Sequence, residues 1–285
     1  HIARAAPRHG LPLGLSSFAP SSIEEIGTIA GDLLWFQLYC TEKSEIENDL
    51  IDRAESTGCE VLVVTVDIPT VTRREKDIAN GLSVPPKFDL VTLSQVALRP
   101  TWAFATLRAG IPRFKTLLPY IPGDSTLDAS AIFLRDMVEG HVTVQKLERI
   151  RGRWRGRLNV KGILTTEEAL LCQDLGADAI VISNHGGRQL AAAPPVPHVL
   201  PEIRAAVGPD FPLIADGGVQ SGLDIARLIA CGANFVLAGR AFVYAVAAAG
   251  EPGVDHAIFL LRAELKQTLS QIGCQKLGDL AKHRI

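Results

Sequence analysis

Leu158-Asn159-Val160-Lys161-Gly162-Ile163-Leu164, then Thr165-Thr166-Glu167-Glu168, Gly176 and Ala179-Ile180-Val181-Ile182, make one complete strand–helix–strand unit. The two apolar, β-branched runs suit parallel strands buried on both faces. Thr165-x-x-Glu168 is a capping-box pattern that opens a helix, and Gly176 is a helix stop just before the next strand. Working outward, the same alternation recurs. Further strand-like runs are Leu11–Leu15, Leu33–Leu38, Val61–Val66, Pro212–Ala215 and Phe235–Ala238. Helix starts are read at Ser21-x-x-Glu24, Ser44-x-x-Glu47 and Ser221-x-x-Asp224, and further stops at Gly58 and Gly232.

One residue at the end of each strand gives Ser16, Tyr39, Asp67, Lys161, His185, Asp216 and Arg240, with intervals of 23, 28, 94, 24, 31 and 24 residues. All but the 94-residue interval fit a single β/α unit. An open doubly wound sheet competes with a closed barrel, but no Gly-x-Gly-x-x-Gly follows an early strand. The expectation is therefore an α/β chain with a (β/α)8 TIM barrel. Seven strands are read where a barrel has eight, and His1–Ala6 already reads as helix, so the first strand is expected to lie upstream of His1. The chain reads as a single domain over residues 1–285. A long insertion at about 75–155 separates the fourth and fifth strands, counting the one upstream.

The 285 residues are 47% hydrophobic and 21% charged, with 29 Lys+Arg against 31 Asp+Glu, net charge −2 and pI about 6.4. This composition excludes wholesale disorder and a globally basic surface for nucleic acid. Five scattered cysteines without a Cys-x-x-Cys pair read as reduced core residues of a cytosolic protein. No apolar run reaches the roughly 18 residues of a membrane span, and no signal-peptide pattern opens the sequence.

In a barrel the C-terminal strand ends and the loops after them build the active site. Ser16, Gln37, Tyr39, Thr65, Asp67, Lys161, Ser183, His185, Arg188, Asp216 and Arg240 fall there. Any one of them alone reads as a solvated loop residue; eleven on one rim do not. Ser183-Asn184-His185-Gly186-Gly187-Arg188-Gln189 is the sharpest stretch. Imidazole accepts a proton near neutral pH, and a carboxylate such as Asp67 raises its basicity and fixes its tautomer. Arg188 can grip a substrate carboxylate through two parallel hydrogen bonds. A strand-capping His is the alternative. Asp216-Gly217-Gly218 and Gly239-Arg240 occupy the two loops where this fold usually binds phosphate. Lys161 is read either as a Schiff-base lysine of an aldolase or as a fixed positive charge beside a flavin. The histidines form no metal-binding pattern, so no metal site is expected.

These residues resemble the FMN-dependent L-2-hydroxyacid dehydrogenases and oxidases, a family that includes glycolate oxidase, L-lactate dehydrogenase and (S)-mandelate dehydrogenase. The resemblance runs from His1 to about Leu280. It is carried by Leu15-Ser16-Ser17, Phe36-Gln37-Leu38-Tyr39, Thr65-Val66-Asp67, Arg73-Arg74-Glu75, Val160-Lys161-Gly162, Ser183–Leu190, Asp216-Gly217-Gly218 and Gly239-Arg240. The resemblance implies FMN as cofactor and oxidation of an L-2-hydroxy acid to the 2-oxo acid. It implies His185 as base with Asp67 as its partner, Arg188 and Arg74 as the carboxylate clamp, and Tyr39 as the substrate-binding phenol. Ser16, Gln37, Thr65, Lys161 and Ser183 would contact the flavin and its ribityl chain; Asp216, Gly218, Gly239 and Arg240 would hold the ribityl chain and phosphate. The chain departs from the family pattern at Phe18 (often Trp), Gln220 (usually Arg) and Ala191 (frequently Asp).

Within the insertion, Pro85–Pro122 carries Trp102, Phe104, Phe114 and Tyr120 among Arg99, Arg108, Arg113 and Lys115, with Asp89 as its one acid. Such a stretch suits either an anionic membrane surface or an active-site lid. Asn80-Gly81-Leu82-Ser83-Val84-Pro85-Pro86 resembles the membrane-associated lactate and mandelate dehydrogenases. That resemblance implies a peripheral protein on the cytoplasmic face of the inner membrane, a quinone or other acceptor, and a homotetramer. Oxygen as acceptor, the Lys161 aldolase and a non-catalytic relative stand as alternatives.

Overall fold

The computed structural model describes residues 1–70, 72, 78–81, 89–110, 113–123, 132, 133 and 136–283. Among the described residues one sheet holds seven strands, all parallel and in sequence order: β1 Leu13–Ser16, β2 Leu34–Tyr39, β3 Val61–Thr65, β4 Arg157–Ile163, β5 Ala179–Ile182, β6 Leu213–Ala215 and β7 Phe235–Val236. These are seven of the eight strands of a (β/α)8 barrel. Helices alternate with them: α1 Ile2–Arg8 ahead of β1, α2 Ile23–Ala30, α3 Ser44–Ser56, α4 Leu90–Ala97, α5 Pro100–Ala109, α6 Val144–Arg153, α7 Thr166–Asp174, α8 Val196–Val207, α9 Gly222–Ala230 and α10 Arg240–Gln271. Helix α10 is broken at Ala249 and Gly250.

Successive side chains of a strand point to opposite faces, and here the two faces have different jobs. Leu34, Phe36, Leu38, Leu62, Val64, Leu158, Val160, Ile180, Ile182, Leu213 and Ala215 join one large buried cluster with the helices. The alternate residues Val61, Val63, Ala179, Val181 and Ile214 form a second cluster, with Trp35 and Leu237 packed on it. Trp35 of β2 and Phe235 of β7 approach to 5.8 Å between ring centroids, so the sheet curls until distant strands meet. The inner face therefore has an apolar floor. Continuing along the same alternation toward the C-terminal ends, it turns polar at Gln37, Tyr39, Thr65, Lys161, Ser183 and Asp216.

The helix starts show where local pattern reading slipped. Thr165 and Ser221 cap α7 and α9 as expected, Ser221 with a complete capping box to Asp224. Helix α2 uses Ser22 and Glu25 instead of Ser21 and Glu24, and the Glu24 carboxylate pairs with Arg53 at 2.7 Å. Helix α3 has Lys43 at its cap position and Ser44 inside the helix. The fully buried Glu47 carboxylate does not fold back on Ser44. It accepts the Thr41 backbone N–H at 3.2 Å and meets Arg149 at 2.5 Å and Lys146 at 3.3 Å.

Between β3 and β4 the described chain is of two kinds. Helix α6 is ordinary barrel layer, with Leu147 and Ile150 buried. Helices α4 and α5 bury no residue at all. The chain is bolted back to the barrel at Arg113–Tyr120. Thr116 and Leu117 are fully buried there, and Arg53 donates to the Thr116 carbonyl at 2.8 Å and to the Tyr120 hydroxyl at 2.9 Å.

Candidate active site

Parallel pairing brings the rim together by register alone. Ser16 lies opposite Gln37, Tyr39 opposite Thr65, and Thr65 opposite Lys161. Gln37 Nε2 donates to Thr65 Oγ1 at 2.8 Å. Lys161 Nζ sits 3.0 Å from Asp216 Oδ2 and 2.7 Å from Ser183 Oγ, which also accepts the His185 backbone N–H at 3.1 Å. Strands β2 to β6 thus contribute one continuous polar shelf above the apolar floor.

His185 and Asp67 come from loops after different strands and meet at the centre of the rim. Their side chains are only 16% and 11% exposed. Nδ1 lies 3.0 and 3.1 Å from the two Asp67 oxygens, a geometry that holds the ring N–H on Nδ1 and leaves Nε2 as a proton acceptor. His185 has φ 54, the one non-glycine residue with positive φ among the described residues. Left-handed backbone in a non-glycine residue persists only where its surroundings over-determine it. Gly186 and Gly187 follow with φ 66 and 71, which turns the chain back at once toward Arg188.

Gly162 makes the pairing with Asp67 sterically possible, and the sequence reading missed this. It has φ 109 and interrupts the β4–β5 register between Lys161 and Ile163. A Cβ there would lie 2.5 Å from the Asp67 Cβ. Glycine inside a strand is the sequence signal for such a bulge or close approach. A second residue missed is Ser17, 1% exposed, whose Oγ accepts the Tyr39 backbone N–H at 3.3 Å. Cys40, next to Tyr39, is no nucleophile: burial, with Glu47 nearby, pushes its thiol up to about 12.

At the far side of the rim, Arg240 opens α10 and donates to the Gly186 carbonyl at 3.1 Å, which ties the β7–α10 loop to the His185 loop. Gly217 and Gly218 have φ 94 and 76, and a Cβ at Gly218 or Gly239 would meet nothing within 4 Å. Bare backbone beside a helix N-terminus and a guanidinium is chemistry for an anion. Ser16 Oγ accepts only its local Phe18 N–H, at 3.2 Å, among the hydrogen bonds described. Arg74 lies outside the described residues.

A family model described as FMN-dependent dehydrogenase matches residues 1–285. The chain belongs to the FMN-dependent dehydrogenase family. It is 37% identical over 279 residues to an L-lactate dehydrogenase of Pectobacterium atrosepticum, covering 98% of this chain and 72% of the relative. The L-lactate dehydrogenase of Caulobacter vibrioides (strain NA1000 / CB15N) gives 37% over 279 residues, 98% of this chain and 73% of the relative. Among solved structures, the monotopic membrane protein (S)-mandelate dehydrogenase superposes with TM-score 0.91 at 36% identity, over 98% of this chain and 74% of that one. A mandelate oxidase bound to (S)-2-phenylpropionate gives 0.76 at 33%, over 98% and 70%.

The rim of this FMN-dependent dehydrogenase fits the cofactor of its family. FMN is a polyhydroxylated chain between a polar-edged ring and a phosphate. Asp216 Oδ1 is buried without a hydrogen-bond partner, an acceptor set for a hydroxyl donor. Lys161 and the Gln37–Thr65 pair present donors along the shelf, and Arg240 with the open glycine backbone offers an anion site. Lys161 between Asp216 and Ser183 is a held ammonium, and family membership sets the aldolase reading aside.

Proposed function

We propose that this FMN-dependent dehydrogenase oxidises an L-2-hydroxy acid, lactate- or mandelate-like, to the 2-oxo acid. The observation that carries the reading is the His185–Asp67 pair, held at 3.0 Å on the rim of a family flavin site. FMN, when bound, would accept the two electrons and one of the two protons that the substrate loses. His185 Nε2 takes the other proton, and the Asp67 carboxylate stabilises the imidazolium so formed. Arg188 and Arg74 clamp the substrate carboxylate, and the Tyr39 phenol binds the substrate. Ser16, Gln37, Thr65, Lys161 and Ser183 hold the ring and ribityl chain; Asp216, Gly218, Gly239 and Arg240 hold the ribityl chain and phosphate. A visible spectrum tests this directly. L-lactate or L-mandelate should bleach the flavin band of the unaltered protein, and His185→Gln should abolish bleaching with FMN still bound. Normal reduction of that variant refutes the base assignment.

We also infer a peripheral membrane location, on the cytoplasmic face of the inner membrane, with a quinone as electron acceptor. Helices α4 and α5 support it. Leu90, Leu98 and Leu107 are 85%, 79% and 83% exposed, and Trp102 and Phe104 are exposed beside the cations Arg99 and Arg108. An apolar, basic surface of this kind suits an anionic lipid interface. Among the described residues no helix is long and apolar enough to cross a membrane. The reading includes one FMN-binding domain over residues 1–285, with the insertion at about 75–155, assembled as a homotetramer.

A further inference from the structure

Three aromatic rings connect the insertion to the active-site rim. Phe18, on the loop after β1, meets the Tyr39 ring edge-on, with centroids 5.4 Å apart and planes at 69°. Phe18 also meets Phe114 in an edge-to-face contact, at 5.6 Å and 76°. Edge-to-face geometry aligns the positive edge of one ring with the negative face of the next, so each ring restrains its neighbour's orientation as well as its position.

Phe114 is fixed from behind. Lys115 Nζ binds Glu25 at 2.6 Å, and Thr116 Oγ1 donates to the Ser21 carbonyl at 3.2 Å. Arg53 grips Glu24, the Thr116 carbonyl and the Tyr120 hydroxyl, and Tyr120 reaches Asp49. These contacts pin the chain directly after Phe114 to α2, α3 and Ser21, and the Leu117 N–H donates to the Phe114 carbonyl at 2.9 Å. Yet Phe114 itself is 40% exposed, so it adds little to the core.

We propose that Phe114 is a positioning residue: it holds Phe18, and through it the Tyr39 phenol, in the orientation that receives the 2-hydroxy acid. This rests on the reading of Tyr39 as the substrate-binding phenol. Phe114 acts through Phe18 and not on the reacting atoms. Its effect is to set the phenol before the substrate arrives, so its loss weakens ground state and transition state alike and falls on KM. The insertion thereby braces the substrate pocket from behind Phe18, whatever its outer helices rest on.

Steady-state kinetics of the FMN-loaded protein with L-mandelate and L-lactate test this. Phe114→Ala should raise KM about 2- to 12-fold, the equivalent of ~0.5–1.5 kcal/mol for one aromatic pair, with kcat changed less than about twofold. Phe114→Tyr should restore KM. In a Phe18→Leu background the Phe114→Ala change should add nothing, because the intermediate ring is gone. Phe114→Leu, which keeps apolar bulk and removes the ring, gives the same reading if the alanine variant folds poorly. An unmoved KM in Phe114→Ala or Phe114→Leu, or an equal rise with and without Phe18, overturns the proposal. Absence of any bleaching in the unaltered protein overturns the 2-hydroxy-acid reading and this one together; bleaching with KM unmoved overturns this one alone.

Discussion

His185 Nδ1 stands 3.0 Å and 3.1 Å from the two oxygens of Asp67, across 118 residues of sequence. The pair fixes a tautomer and balances the charge that appears when the ring takes a proton. Asp67→Asn preserves shape and removes that charge. Flavin reduction by substrate in stopped-flow should fall about 10²–10⁴-fold, the usual range for a disabled general base, with the flavin-to-protein ratio unchanged. A rate within a factor of a few of the parent would mean that the carboxylate only holds the ring in place.

Gly162 is the steric condition for that pair. Its φ of 109 is strained for any other residue, and an added Cβ would press on the Asp67 side chain at 2.5 Å. Gly162→Ala should cost ~1–3 kcal/mol of stability in denaturant unfolding. It should also slow flavin reduction by displacing Asp67 from His185. Full activity in this variant would show that the bulge relaxes without moving the carboxylate.

The strand–helix alternation and the rim were legible because both follow from local chemistry. Buried parallel strands must be apolar, so a polar residue at each strand end stands out, and Gln37, Thr65, Lys161, Ser183 and Asp216 could be picked from the text. What spacing could not give was distance. Asp67 could be named as the partner of His185, but the room that Gly162 leaves for its side chain is a tertiary fact. The α2 cap lies one residue further on, at Ser22 and Glu25, and the partner of Glu24 is Arg53, 29 positions away. The Phe114–Phe18 contact spans 96 positions and had no local signature.

The Glu24–Arg53 pair makes a pH prediction with a definite sign. The Arg53 guanidinium pulls the Glu24 carboxyl down to about 2, below its ordinary value of 4.5. A depressed carboxylate stabilises the fold above the ordinary value and loses that contribution as pH falls toward the depressed one. Between pH 4.5 and 2, then, the clamp on Thr116 and Tyr120 weakens. Glu24 is half exposed, so the effect on global stability is small. Hydrogen exchange should instead show faster exchange of the Thr116–Ile121 amides at pH 2.5 than at pH 5, after correction for intrinsic rates. Exchange that tracks the barrel strands at both pH values would remove Glu24 from the anchor.

The exposed helices α4 and α5 separate location from chemistry. Burying one Leu-sized side chain in a lipid interface is worth ~1.5–3 kcal/mol, so Leu98→Glu or Leu107→Glu should each weaken co-flotation with anionic vesicles by at least about tenfold. Neither residue is buried against the barrel, being 79% and 83% exposed. Flavin reduction by the 2-hydroxy acid should therefore be unchanged in both variants, while reoxidation by a quinone embedded in the vesicles should slow in step with lost binding. Raised salt should weaken flotation further, because Arg99 and Arg108 contribute through screened attraction to the lipid headgroups. Vesicle binding that is indifferent to both substitutions and to salt would leave these helices as a lid over the rim.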